Sequence, residues 1–197
     1  MTALGFRVKS GCAIAVVLKG DPAAPVAVAR RVVELSDPAI AETRQPYHAG
    51  MGKAEGDRRE IARRRTIIER CAKRSVTALL NDDWRAGVPP GATIRAGLVV
   101  GSLLDPANVG NPHIRAHANE GLLFRTVLET SLHSQGIGCE VMIEKQLAGC
   151  AEKGLGRSTP EIRRRLDEFG RFLGSPWRSE EKAAATAAWL VLYNHRK

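Results

Sequence analysis

The chain has 197 residues, 44% hydrophobic and 26% charged, a balance that excludes an intrinsically disordered protein and leaves room for one domain with a sizeable core. Against 21 Asp and Glu stand 30 Lys and Arg, a formal net charge of +9. That excess favours polyanionic partners such as DNA or RNA, because neutralising phosphates releases their counterions. The longest apolar run, Cys12 to Leu18, is too short to cross a bilayer and lacks signal-peptide flanks, so no membrane partner and a cytoplasmic location are expected.

Aromatic residues make up only 5%, so the core must be built from Val, Leu, Ile and Ala. The four cysteines, Cys12, Cys71, Cys139 and Cys150, form no C-x-x-C pair. Buried free thiols are expected in place of a metal-thiolate site or a disulfide framework.

In chain order, residues 4–9 and 12–19 read as two strands around the turn Ser10-Gly11, followed by a second turn at Lys19-Gly20-Asp21-Pro22. A third strand spans Pro25 to Leu35; its valines switch alternation at Arg30-Arg31, which predicts a bulge there. Residues 36–56 hold Pro38, Pro46, Gly50, Gly52 and Gly56 and read as a long surface connection, with Tyr47-His48 as an exposed polar pair. Asp57 with Glu60 three residues later opens a helix to about Asn81, with Ile61, Ile68, Ala72, Val76 and Leu79 on one stripe.

Thr93 to Ser102 is the fourth strand, its run Gly97-Leu98-Val99-Val100 suiting burial on both faces. Asn111-Pro112 caps a helix that Gly136 stops, and Ile137 to Ile143 is the fifth strand. Thr159-Pro160 starts a short basic helix ending near Gly174, and Ser179 caps a last, alanine-rich one. The order βββαβαβαα predicts an α/β fold: an antiparallel meander joined to parallel crossovers in one mixed five-stranded sheet with helices on both faces.

Two sets of side chains carry chemistry. On the helix from Pro112, at ~100° per residue, His113, His117 and Glu120 share a narrow arc at the carboxyl end of the sheet, where open α/β folds place ligands. Such a set suits a transition metal or a general base with its orienting carboxylate; the plainer alternative is a histidine satisfied at a helix edge. Glu181 leads a second inward arc with Ala185, Ala188 and Leu192 behind it. Arginines cluster at Arg58, Arg59, Arg63, Arg64 and Arg65 and again at Arg163, Arg164 and Arg165; they read as a phosphate-tracking surface or as solvated helix faces, with Arg63 and Arg64 as candidate contacts.

The stretch Leu4 to Leu18 resembles the opening hairpin of the RuvC-resolvase branch of the ribonuclease H-like superfamily. Glu181 followed by Ala183, Ala184, Ala185, Ala187 and Ala188 is similar to that branch's last helix. The resemblance implies a single ribonuclease H-like domain over 1–197. It also implies two divalent cations held by acids of the first strand, the fourth strand and the last helix.

It places the first of those acids at Arg7, which cannot ligate Mg2+, with Lys9 two residues on. The fourth strand carries no acid before Asp105, and only Glu181, or Glu180 beside it, falls where an acid belongs.

The reading expected is therefore a ribonuclease H-like protein without standard two-metal nuclease activity and without a cofactor, binding nucleic acid or a protein partner. In it Glu120 and Glu181 meet beneath the binding residues Arg7 and Lys9. One alternative is an active metal-dependent phosphodiester hydrolase using His113, His117, Glu120 and Glu181. Another is an oligomerisation module anchored by Trp177, Trp189 and Tyr193.

Overall fold

The computed structural model describes residues 1–50, 53–89 and 91–194. Strands β1 (Thr2–Lys9), β2 (Cys12–Lys19) and β3 (Val26–Glu34) are followed by two-residue strands β4 (His48–Ala49) and β5 (Lys53–Ala54). Then come α1 (Arg58–Leu80), β6 (Ile94–Val100), α2 (Pro112–His133), β7 (Gly138–Ile143), α3 (Glu144–Leu155), α4 (Thr159–Leu173) and α5 (Ser179–Asn194). The main sheet runs β3-β2-β1-β6-β7. The β1–β2 and β2–β3 pairs are antiparallel, β1–β6 and β6–β7 parallel.

This is the expected mixed five-stranded α/β sheet, with three differences. First, α3 was not foreseen. Its buried residues Leu147, Ala151 and Leu155 form a stripe one residue wide, and Gly149 and Gly154 lie inside it, residues that disfavour a helix. No side chain caps its start, where Ile143 stands. Second, the bulge falls elsewhere. Val17 pairs with Ala29 and Leu18 with Ala27, so Val28 is the extra residue and Arg30 and Arg31 stay in register. Third, residues 36–56 are more than surface connection: Thr43, Pro46 and His48 are buried, and the Thr43 hydroxyl donates to Ile40 O at 2.6 Å.

One core lies between the sheet and α1 with α2, built on Leu4, Phe6, Val17, Ile68, Leu98 and Leu128; the other lies under α3, α4 and α5. Helix α5 sits directly on the strands because register partners Gly5 and Gly97 leave room for it. A Cβ on Gly5 would come within 1.8 Å of Ala184 O, and one on Gly97 within 2.8 Å of Ala187 O. The alanine run in α5 is the other half of this close approach. It fixes the last helix, and the acids at its start, over the centre of the sheet.

The interface anchors expected near the terminus are drawn inward. Trp189 is 1% exposed and its Nε1–H donates to Pro22 O at 2.9 Å. Trp177 and Tyr193 pack against the same core. Cys71 is buried, Cys12 and Cys139 are partly buried, and Cys150 is exposed on the unforeseen α3. Among the described residues no helix is long and apolar enough to cross a membrane.

Candidate functional site

At the carboxyl edge of the sheet the ends of β1 and β6, the connection after β6 and the first turns of α2 enclose a cleft of about 610 Å3, lined by Arg7, Lys9, Asp105, His117 and Arg125 among others. Strand alternation sends Arg7 to the same face as Gly5. There its Nε and Nη2 donate to the two carboxylate oxygens of Glu144 at 3.0 and 2.6 Å, a bidentate pair. Its Nη1 donates to Val8 O at 2.5 Å. Lys9 Nζ donates to Glu180 Oε1 at 2.9 Å. That ammonium, with help from Ser179 and backbone N–H groups, holds the Glu180 carboxyl down to about 2.

Glu120 and Glu181 do not share these partners, contrary to the expectation that they meet beneath Arg7 and Lys9. Glu181 is buried, accepts from the Arg178 backbone N–H at 2.8 Å and pairs with Arg30 at 3.5 Å. Its place opposite Arg7 is taken by Glu144, which the missing α3 supplies. Asp105 accepts from the Ala107 N–H at 2.9 Å and from Asn108 Nδ2 at 3.2 Å, capping a 3-10 turn at Pro106–Asn108. At the end of the first strand, where the resemblance implies an acid, stands a guanidinium committed to a carboxylate, a group that offers no ligand to a divalent cation.

The second constellation lies on α2. Asn111 caps the helix, its side chain accepting from the His113 and Ile114 N–H groups. The 3.6-residue period then stacks His113, His117 and Glu120. His113 Nε2 and His117 Nε2 are 3.3 Å apart. Glu120 is 1% exposed. Its Oε1 accepts from His48 Nδ1 at 2.7 Å. His117 Nδ1 lies 3.5 Å from Oε2, too far for a good hydrogen bond, and Oε2 has no hydrogen-bond partner among the described residues. His48 Nε2 is likewise buried and unpartnered. The ligand-capable atoms of His48, His113 and His117 lie within 4.8 Å of one another.

His48 was read as exposed and is buried. The residue that seats it is Arg64, read as a surface contact. Arg64 is itself buried, with Nη1 donating to Pro46 O at 3.1 Å and to His48 O at 3.2 Å, and Nη2 donating to Glu55 at 3.0 Å. The Asp57 backbone N–H, seconded by Arg64, holds Glu55 below the ordinary carboxylate range. Arg64 thus ties Pro46, His48 and Glu55 to α1, whereas Arg63 remains exposed and pairs with Glu60 at 3.0 Å. No local pattern marks His48, since 65 residues separate it from His113 in sequence; the one hint is a buried-face position for Arg64, three residues after Ile61 and four before Ile68.

No protein-family model matches the chain, and no curated protein does. Solved structures do. The Thermus thermophilus RuvC structure aligns at 11% identity with a TM-score of 0.57, covering 100% of this chain and 96% of that one. RuvC of the same organism in complex with a Holliday junction substrate aligns at 10% identity and a TM-score of 0.56, covering 100% and 95%. The yeast mitochondrial Holliday junction resolvase aligns at 8% identity and a TM-score of 0.49, covering 98% and 80%. Strand order, helix placement and the two RuvC alignments agree that the chain has the mixed α/β fold seen in RuvC.

Proposed function

We propose that the protein binds nucleic acid through the cleft at the carboxyl edge of its sheet, using side-chain cations where the resolvase fold uses bound metal. The observation that carries this reading is the Arg7–Glu144 pair at the end of β1. It sets a guanidinium where the resemblance implies a metal-binding acid, with Lys9 and Arg125 on the same cleft. The net charge of +9 supplies the long-range attraction. RuvC of this fold has been seen on a Holliday junction substrate, which makes a DNA of that kind the first ligand to try. Without two hard-cation sites the chain lacks the usual means of generating hydroxide and neutralising the leaving oxygen, so binding without Mg2+-dependent cleavage is the activity assigned.

The test is equilibrium binding of a fluorescent four-way junction and a duplex over a salt series, with cleavage monitored in Mg2+. Affinity should fall linearly in log–log form with salt, and Lys9→Gln and Arg125→Gln should each lower the slope by about 1. No binding at low salt overturns the nucleic-acid reading. Cleavage in Mg2+ that Glu144→Gln abolishes overturns the loss of the two-metal centre.

A further inference from the structure

We infer that His48, His113 and His117 form a binding site for one borderline divalent cation of the Zn2+ class, with Glu120 as the carboxylate that orients His48 and faces His117. This stands independently of the nucleic-acid reading.

Four features of the geometry support it. First, the spacing is right: two nitrogens bound to Zn2+ at about 2.05 Å and a tetrahedral angle are roughly 3.3 Å apart, the separation found between His113 Nε2 and His117 Nε2. In a metal-free cluster two acceptor nitrogens so close repel unless one carries a proton. Second, the tautomer of His48 is set by its partner. His48 Nδ1–H is committed to Glu120 Oε1 at 2.7 Å, which leaves the lone pair on Nε2, and that Nε2 is buried with no hydrogen-bond partner among the described residues. A metal-bound histidine whose other ring nitrogen donates to a carboxylate is the usual outer-shell arrangement, and it raises the basicity of the ligand nitrogen.

Third, Glu120 faces a second histidine with its other oxygen, His117 Nδ1 at 3.5 Å. The carboxylate therefore holds the His48 ring by a hydrogen bond and faces His117 across a longer gap that a small shift on metal binding would close. A carboxylate only 1% exposed calls for positive charge beside it; a dication held by the three histidines supplies it. Fourth, the ligand set discriminates. Three imidazoles suit Zn2+, Co2+ or Ni2+ and disfavour Mg2+ and Ca2+, which take oxygen ligands. His113 and His117 are exposed while His48 is not, so the three ligands cap the ion from the protein side and leave a fourth position toward solvent. His117 also lines the cleft, so that position, filled by water or by an oxygen of a bound phosphate, lies at the rim of the proposed nucleic-acid site.

The site brings together parts far apart in sequence: the first two turns of α2 and a segment clamped down by Arg64. Arg64 acts here as a positioning residue, through the His48 carbonyl.

The experiment uses the full-length, untagged chain, stripped with a chelator and titrated with Co2+. The expected result is one equivalent bound with the intense visible bands of a four-coordinate ion, displaced by Zn2+. His113→Ala and His117→Ala, both at exposed positions, should each weaken binding by at least ~100-fold, and Glu120→Gln by about 10–100-fold. His133→Ala, on the same helix and outside the cluster, should bind as the wild type does. Sub-stoichiometric binding, six-coordinate spectra, or affinity unchanged in the His113→Ala, His117→Ala double variant would overturn the assignment. Because Co2+ binding is read without DNA, its failure leaves the nucleic-acid reading intact, and the reverse holds for the salt series.

Discussion

Arg7 and Glu144 are 137 residues apart in sequence and joined by two parallel hydrogen bonds at 3.0 and 2.6 Å across the carboxyl edge of the sheet. The Glu144 side chain is 42% exposed, so water screens the pair and its contribution to stability is about 1 kcal/mol or less. Arg7→Met should therefore lower the melting temperature by no more than ~4 °C in a chain of this size, while weakening DNA binding at low salt. A variant that loses many degrees, or that keeps full DNA affinity, would contradict the role given to Arg7.

Gly5 is the opposite case, a position where one methyl group is costly. Its Cβ would meet the carbonyl oxygen of Ala184 at 1.8 Å, and backbone cannot rotate away as a side chain can. Overpacking in a dense core typically costs ~1–3 kcal/mol, and Gly5→Ala belongs at the top of that range. A drop of roughly 6–12 °C in melting temperature is expected, with a smaller drop for Gly97→Ala, whose nearest contact is 2.8 Å. Equal melting of Gly5→Ala and wild type would show that α5 is not seated on β1 as described.

The Lys9–Glu180 pair gives a pH signature. Glu180 is held down to about 2 in the fold, chiefly by the Lys9 ammonium, from an ordinary value near 4.5. A depressed carboxyl stabilises the fold above its unfolded value, and the gain is lost as pH falls from about 4.5 toward 2. In Lys9→Gln the Glu180 carboxyl should titrate measurably higher, as followed by carbon NMR of the side chain. An unmoved titration would mean that Ser179 and the backbone, not Lys9, set it.

The thiols should separate by reactivity. Burial, with Glu129 nearby, pushes Cys139 up to about 12, and burial also raises Cys12 and Cys71. Thiolate is the reactive form, so exposed Cys150 should alkylate first at mildly alkaline pH, with Cys139 protected until unfolding. Mass mapping of a brief iodoacetamide treatment reads the order.

The fold was legible where the sequence pattern is strong. The hairpin at Gly11, the cap at Asp57 and the Asn111-Pro112 start all fall where local chemistry puts them, and the short turns between the first three strands order the meander. Helix α3 was not, because its apolar stripe is narrow and interrupted by glycines. That omission carried into the site: without α3 there is no Glu144 for Arg7, and Glu181, or Glu180 beside it, is left as the acid within reach. On α2 the helical period was enough to group His113, His117 and Glu120. It could not supply His48, whose burial depends on Arg64 turning inward to bind two backbone carbonyls. In an arginine-rich run the one local sign that Arg64 is the buried member is its place on the stripe between Ile61 and Ile68.

The most direct measurement is a map of backbone amide shifts in the full-length protein as a short DNA duplex or four-way junction is added at low salt. The expected shifts lie at Arg7–Ser10, at residues 101–105 and around Arg125, where the cleft is lined by the ends of β1, β6 and the first turns of α2. Shifts confined to the exposed arginine faces of α1 and α4, or none at all, would contradict the cleft as the nucleic-acid site.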